Sequence, residues 1–176
     1  MRISVIYESM DGNTGAIAEG LMSHGEVSLL AVAPGVSAEA DLPVLGGHTH
    51  AHGMSTAMSR RAIEAAAGKA ARRDAPLESS PTGGVRTLLE ALRREHRKPA
   101  ASFDTRFDKS ALLTGPAAGS IARRLESQGY RLVARPESFF VSDTEGPLPD
   151  GELDRARIWG SSLLVLAGTL PGESCG

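Results

Sequence analysis

The chain has 176 residues, 19 basic and 21 acidic, with a formal net charge of −2 and a pI near 6.2. That length suits one domain able to bury about 70% of the surface its unfolded chain exposes, and the charge balance excludes a nucleic-acid footprint, which needs a basic excess. A single cysteine, Cys175, excludes an intrachain disulfide framework and a cysteine-based metal site. No apolar run approaches the roughly 18 residues of a membrane span, and no charged-then-apolar leader precedes the first β-rich run, so the expectation is a cytoplasmic protein without membrane contact.

In chain order, Ile3 to Tyr7 reads as a first strand. The small and polar run Ser9, Met10, Asp11, Gly12, Asn13, Thr14 follows, and a helix over 13–24 puts Ile17, Ala18, Leu21 and Met22 on one side before Gly25 stops it. Residues 27–32 form a second strand, ended by Pro34-Gly35. Residues 41–47 form a third, ended by Gly46-Gly47, and 48–53 form a loop. Ser55 or Thr56 can cap a helix over 57–72 whose inner face is Met58, Ala62, Ile63, Ala66 and Ala70. The Pro/Ser/Gly-rich 73–83 reads as an exposed connection.

Val85, Leu88, Leu89 and Leu92 recur at i, i+3, i+4, i+7, predicting a helix over 84–96. Residues 100–104 read as a fourth strand, followed by a helix that Pro116 opens and Gly129 ends. Residues 131–134 and 139–142 make a fifth strand interrupted at Pro136. Asp150 can cap a last helix with Leu153, Ala156, Trp159 or Gly160, and Leu163 facing inward. This alternation of strands and helices predicts an α/β three-layer sandwich, a parallel sheet covered on both faces. It spans residues 1–168, with 169–176 as a polar tail.

The opening strand–loop–helix carries the chemistry. A helix N-terminus leaves backbone N–H groups unpaired and carries partial positive charge, so a loop wrapped round it can hold a phosphate without a cationic side chain. No Lys or Arg occurs between Ile3 and Met58. Ser9, Asn13 and Thr14 can add side-chain donors, and Gly12 allows close backbone approach. The alternative is a polar turn with an Asn cap and no ligand.

Ser-x-x-Gly-Asn-Thr after a strand ending in Tyr7 resembles the phosphate-binding loop of flavodoxins, S/T-x-T/S-G-N-T. Asp11 stands where many flavodoxins carry a hydroxyl, and some flavodoxin-like protoporphyrinogen oxidases look similar in placing Asp-Gly there. A like charge near a phosphate costs about 1 kcal/mol in water, less than several charge-assisted N–H bonds return at roughly 1.5–3 kcal/mol each. Gly-Gly-His-Thr-His-Ala-His-Gly-Met from Gly46, Phe-Asp-Thr-Arg from Phe103 and Pro-Glu-Ser-Phe from Pro136 resemble blocks of an actinobacterial flavodoxin-domain branch.

The resemblance implies a five-stranded sheet of order 2-1-3-4-5 with flavin mononucleotide (FMN) at the crevice between the first and third strands. Flavodoxins are the standard illustration of that placement, so the location comes with the resemblance. It assigns the phosphate to Ser9, Met10, Asp11, Gly12, Asn13 and Thr14. The ring falls between a loop of His48, Thr49, His50, Ala51, His52 and Gly53 and a loop of Asp104, Thr105 and Arg106. Neither ring loop has a Trp or Tyr, so Phe107, His50 or His52 would cover the ring. The implied function is that of an FMN-binding electron-transfer protein or small flavin-dependent reductase, serving a redox partner protein or a small-molecule electron acceptor.

Two other readings stand beside it. His48, His50 and His52 alternate, which in an extended segment sets neighbours roughly 6.6 Å apart on one face; three imidazoles can hold a catalytic zinc, as in a metal-dependent hydrolase. A flavin-free interaction protein on the same fold accounts for Asp11, Glu8 and the missing aromatics. No Gly-x-Ser-x-Gly, Walker lysine or Gly-x-Gly-x-x-Gly is present, and no catalytic residue is assigned.

Overall fold

The computed structural model describes residues 1–9, 11–21, 27–33, 35–50, 53–54, 84–107, 116–143 and 146–169. Its elements are β1 (Ile3–Tyr7), α1 (Asn13–Gly20), β2 (Val27–Ala31), β3 (Leu42–His50), β4 (Gly53–Met54), α2 (Val85–Ala91), β5 (Pro99–Phe107), α3 (Ala117–Ser127), β6 (Arg131–Leu132), β7 (Glu137–Val141) and α4 (Glu152–Gly168). The main sheet runs β2-β1-β3-β5 and closes on β6 and β7, two pieces of one broken strand that both pair parallel with β5. The five-stranded parallel order 2-1-3-4-5 is therefore present, with the break at Pro136.

Alternation along β1 explains the layers. Ile3, Val5 and Tyr7 point to one face and join Ile17, Ala18, Phe103, Phe139, Ala156 and Leu163 beneath α1 and α4. Ile6 points to the other and joins Leu45, Val85, Leu89, Ile121 and Leu125 beneath α2 and α3. Trp159 packs in the first core, edge-on to Phe103 and Phe139 with ring centroids 6.3 and 6.0 Å away. Phe103 also fixes Gly46: a Cβ there would fall inside its ring.

β7 lies at the sheet edge, where unpaired N–H groups invite other strands. The Glu152 carboxylate blocks one of them, accepting from the Phe140 amide at 2.7 Å. Arg155 pins that carboxylate, bridging it to Glu137 with contacts of 2.6 Å to each and stacking over Phe139 and Phe140. Burial alone would lower the Arg155 pKa; the two carboxylates outweigh it and raise it.

Several elements depart from the sequence expectation. The third strand does not stop at Gly47: β3 continues to His50 and turns back into β4, with Thr49 opposite Met54 and His50 opposite Gly53. Its neighbour β5 outruns the expected 100–104 in the same way, because the two strands keep each other's ladder going through His48 opposite Thr105. The helix expected over 84–96 ends at Ala91. Leu92 is extended, and the Glu95 and Arg97 amides reach instead to the carbonyls of Gln128 and Gly129 after α3, so a tertiary contact overrides the helical spacing. Gly151, not Asp150, caps α4, and Leu153 is exposed. The expected helix over 57–72 and the residues 22–24 and 170–176 lie outside the described residues.

Candidate functional site

The order of the sheet reverses between β1 and β3, since β2 and β3 flank β1 on opposite sides. A crevice opens at the carboxyl ends of strands at such a point. Among the described residues three helices, α1, α2 and α3, start there, and their first amides are handled in two ways.

At α1 the cap is Gly12, in the left-handed conformation at φ 81°, with no side-chain cap bond and no acidic residue in the first turn. Only glycine takes that φ without steric cost. Gly15 N–H donates to Ser9 Oγ at 3.3 Å, and Ala16 N–H makes the first intrahelical bond, to the Gly12 carbonyl at 2.9 Å. The amides of Asn13 and Thr14 precede that bond. Ser9 is buried and still has its own O–H to give. The Thr14 hydroxyl is buried too, paired with that of Thr105 at 2.7 Å, which ties α1 to β5. Gly146, after β7, comes close enough to α1 that a Cβ would meet Asn13 Oδ1 at 3.0 Å.

At α3 the chain supplies its own anion. Asp104 is fully buried; its Oδ2 accepts from the Ala118 amide at 2.9 Å and from Thr49 Oγ1 at 2.7 Å. Thr49 Oγ1 in turn accepts from the Ala117 amide at 2.9 Å. One hydroxyl thus receives and gives one bond each, and β3, β5 and α3 are locked by three bonds. At α2 the Val85 amide donates to Glu8 Oε2 at 3.0 Å. Glu8, which threatened to repel a phosphate, is engaged at another helix.

The expected ring loops are therefore strand ends. His48, Thr49 and His50 lie in β3, Gly53 lies in β4, and Asp104, Thr105 and Arg106 lie in β5. Met10, Ala51 and His52 lie outside the described residues. Ser9, Asp11, Gly12, Asn13 and Thr14 come together as a unit at α1, with Thr105 beside them. Asp104 and Thr49 form a separate lock under α3. Arg106 stacks over Phe140 at 5.1 Å, and Phe107 is exposed at the end of β5. Tyr7, at the end of β1, is buried in the core beneath α1 and α4. Among the described residues no group of three His, Cys, Asp or Glu could hold a metal. Glu8 as the α2 cap was missed; a carboxylate one residue past a strand, ahead of several helix starts, is the only signal for it.

Among solved structures the chain is similar to a flavodoxin from the domain Archaea, at 17% identity over 96% of this chain and 99% of that one, with a TM-score of 0.61. It is similar to oxidised Flavodoxin 2 from Bacillus cereus, at 20% identity over 94% and 99% of the two chains, TM-score 0.59. This is a flavodoxin-like fold. A WrbA-like flavodoxin from Agrobacterium tumefaciens aligns over 95% of this chain at 16% identity, TM-score 0.58. No family model matches the chain, and no curated protein matches it. The likeness to the flavodoxins is thus one of fold. The start of α1 has the features an anion site at a helix terminus needs: a glycine cap, open space where a Cβ would stand, and no first-turn acid. No described helix is long and apolar enough to cross a membrane.

Proposed function

We propose that the chain binds FMN with its phosphate at the start of α1 and passes electrons to a redox partner protein or a small-molecule acceptor. The observation that carries this reading is the α1 terminus, which begins on left-handed Gly12 with no first-turn carboxylate, at the point where the strand order reverses. The Asn13 and Thr14 amides and the Ser9 hydroxyl hold the phosphate, and Asp11 turns to solvent. The Thr49–Asp104 lock holds the ends of β3 and β5 in fixed relation, which keeps the ring walls rigid. Bound flavin supplies the redox chemistry; the chain orients it and sets its surroundings. On this reading the protein is an oxidoreductase or electron carrier.

The test is an absorbance spectrum of the purified protein, then fluorescence titration with FMN and with riboflavin. FMN binding at least about tenfold tighter than riboflavin is expected, a difference of about 1.4 kcal/mol. Indifference to excess FMN removes the reading. It would favour instead a flavin-free interaction protein, for which the internal pairing of Thr14 with Thr105 is the supporting observation.

A further inference from the structure

Among the described residues, the segments around α2 and α3 carry an excess of positive charge. Residues 84–98 and 117–127, which contain α2 and α3, hold seven Lys and Arg against three Glu, in a chain whose net charge is −2. Three of the seven, Arg86, Arg123 and Arg124, line a cleft of about 370 Å³ between α2 and α3, together with Leu89, Ser120 and Ser127. Among the described residues, no acidic side chain lines it. Glu90 reaches across from α2 to Arg124 at 3.8 Å, with both side chains about half exposed, an ion pair weak enough for an incoming carboxylate to replace. Ser120 holds the Arg123 guanidinium at 3.0 Å, which orders one cation ahead of any ligand.

We infer that this cleft docks an acidic segment of a partner protein. Guanidinium groups match carboxylates in a planar, two-bond fork. From Ser120 to Ser127 the α3 wall runs about 10 Å at 1.5 Å per residue, the reach of roughly three residues of extended peptide, whose i and i+2 side chains fall on one side. A nucleic-acid strand suits the cleft less well. Among the described residues its lining has no aromatic side chain on which a base could stack, and a patch this short spans too few phosphates to track a backbone. The cleft also starts beside the candidate site. Arg86 follows Val85, whose amide is bonded to Glu8 after β1, and Ser120 lies one turn beyond the Asp104–Thr49 lock. A docked partner would therefore lie close to the strand-end crevice. The inference goes beyond the flavin reading and stands without it.

The probe is a fluorescein-labelled oligoglutamate peptide, with binding read by anisotropy and by amide shifts in the full-length protein. Wild type is expected to bind, with shifts confined to α2 and α3 and with affinity falling as salt rises. The double variant Arg86→Glu/Arg123→Glu is expected to bind about tenfold or more weakly. Arg157→Glu, an exposed cation on the opposite face, is expected to leave binding unchanged. Equal binding by the double variant, or shifts mapping elsewhere, overturns the inference. Tighter binding of a single-stranded oligonucleotide of equal charge also overturns it, in favour of nucleic acid. Since both exchanged arginines are exposed, circular dichroism of the double variant checks that it folds, and conservative Arg86→Gln/Arg123→Gln gives the same readout without reversed charge. FMN titration of these variants is expected to match wild type, so failure of the flavin reading and failure of the docking reading are separate results.

Discussion

Two helices that begin at the same edge of the sheet treat their N-termini oppositely. α3 starts against Asp104 and Thr49, which take its first two amides, while α1 starts on a glycine with no side-chain cap and no first-turn acid. α2 follows α3, with Glu8 on Val85. Each terminus carries partial positive charge and orphan amides. Where the chain fills such a terminus with its own carboxylate, the terminus is a joint in the scaffold. Where it leaves the terminus to a glycine and two hydroxyls, the terminus is the proposed phosphate site. On the proposed reading the same electrostatics serves stability at one helix and recognition at another, and burial separates them: Asp104 is fully buried, whereas Asp11 and Gly12 are exposed.

The sharpest way to break that contrast is Asp104→Ala. It strands a buried amide and the Thr49 hydroxyl, at about 1–3 kcal/mol for each unsatisfied group. A loss of about 3 kcal/mol in chemical denaturation is expected, or roughly 6–12 °C in melting temperature for a chain of this size, with Asp104→Asn intermediate. Asp11→Ala should leave stability within about 0.5 kcal/mol, as exposed substitutions do. A stable Asp104→Ala protein would mean that α3 does not depend on the lock.

Next is Gly12→Val. Nothing crowds a Cβ at that position, so the substitution acts through the left-handed backbone. A β-branched residue there costs about 1–2 kcal/mol, and relaxation out of that conformation re-aims the first amides. FMN affinity is expected to fall about tenfold or more, measured by fluorescence titration, while riboflavin affinity changes less. Equal affinity in wild type and variant would detach the glycine from phosphate binding.

The contrast also marks how far the sequence could be read. The two-sided burial and the α1 loop were legible because each is local: β1 alternates, Gly12-Asn13 announces a helix start, and Pro136 breaks the last strand; the strand order came with the family resemblance. What was not legible depended on partners distant in the chain. Asp104 follows Phe103 at the expected end of a strand and looks like a loop residue. Only the pairing of β5 with β3, which continues through Thr105 and His48, keeps it inside the sheet and under α3. The early end of α2 has the same origin, because its last predicted turn is drawn off to the carbonyls after α3. Of the site, the α1 loop was visible as a motif for the proposed phosphate end, whereas the division of labour between Asp104 and Asp11 needed the fold.

A smaller effect tests α2 as the second filled terminus. Glu8→Ala removes the acceptor of the Val85 amide, a cap worth about 1 kcal/mol. Stability is expected to drop by that amount. FMN binding is expected to stay the same or tighten slightly, because a carboxylate near the crevice has gone. A marked weakening of FMN binding would mean that Glu8 positions the loop after β1 through Val85.

The smallest expected effect is Asp11→Thr, which exchanges an exposed carboxylate beside the open terminus for a hydroxyl. Stability should not move. A charge this exposed acts on a phosphate through water, where the repulsion is about 1 kcal/mol at contact and less with distance and salt, so FMN affinity is expected to rise a few-fold in low salt and less in high salt. Riboflavin affinity, with no phosphate to repel, should stay constant. Unchanged FMN binding would show Asp11 fully screened, and weaker binding would show that its carboxylate holds the loop in shape. That last result would bring α1 closer to α3 than the contrast allows, because an acid would then be structural at both.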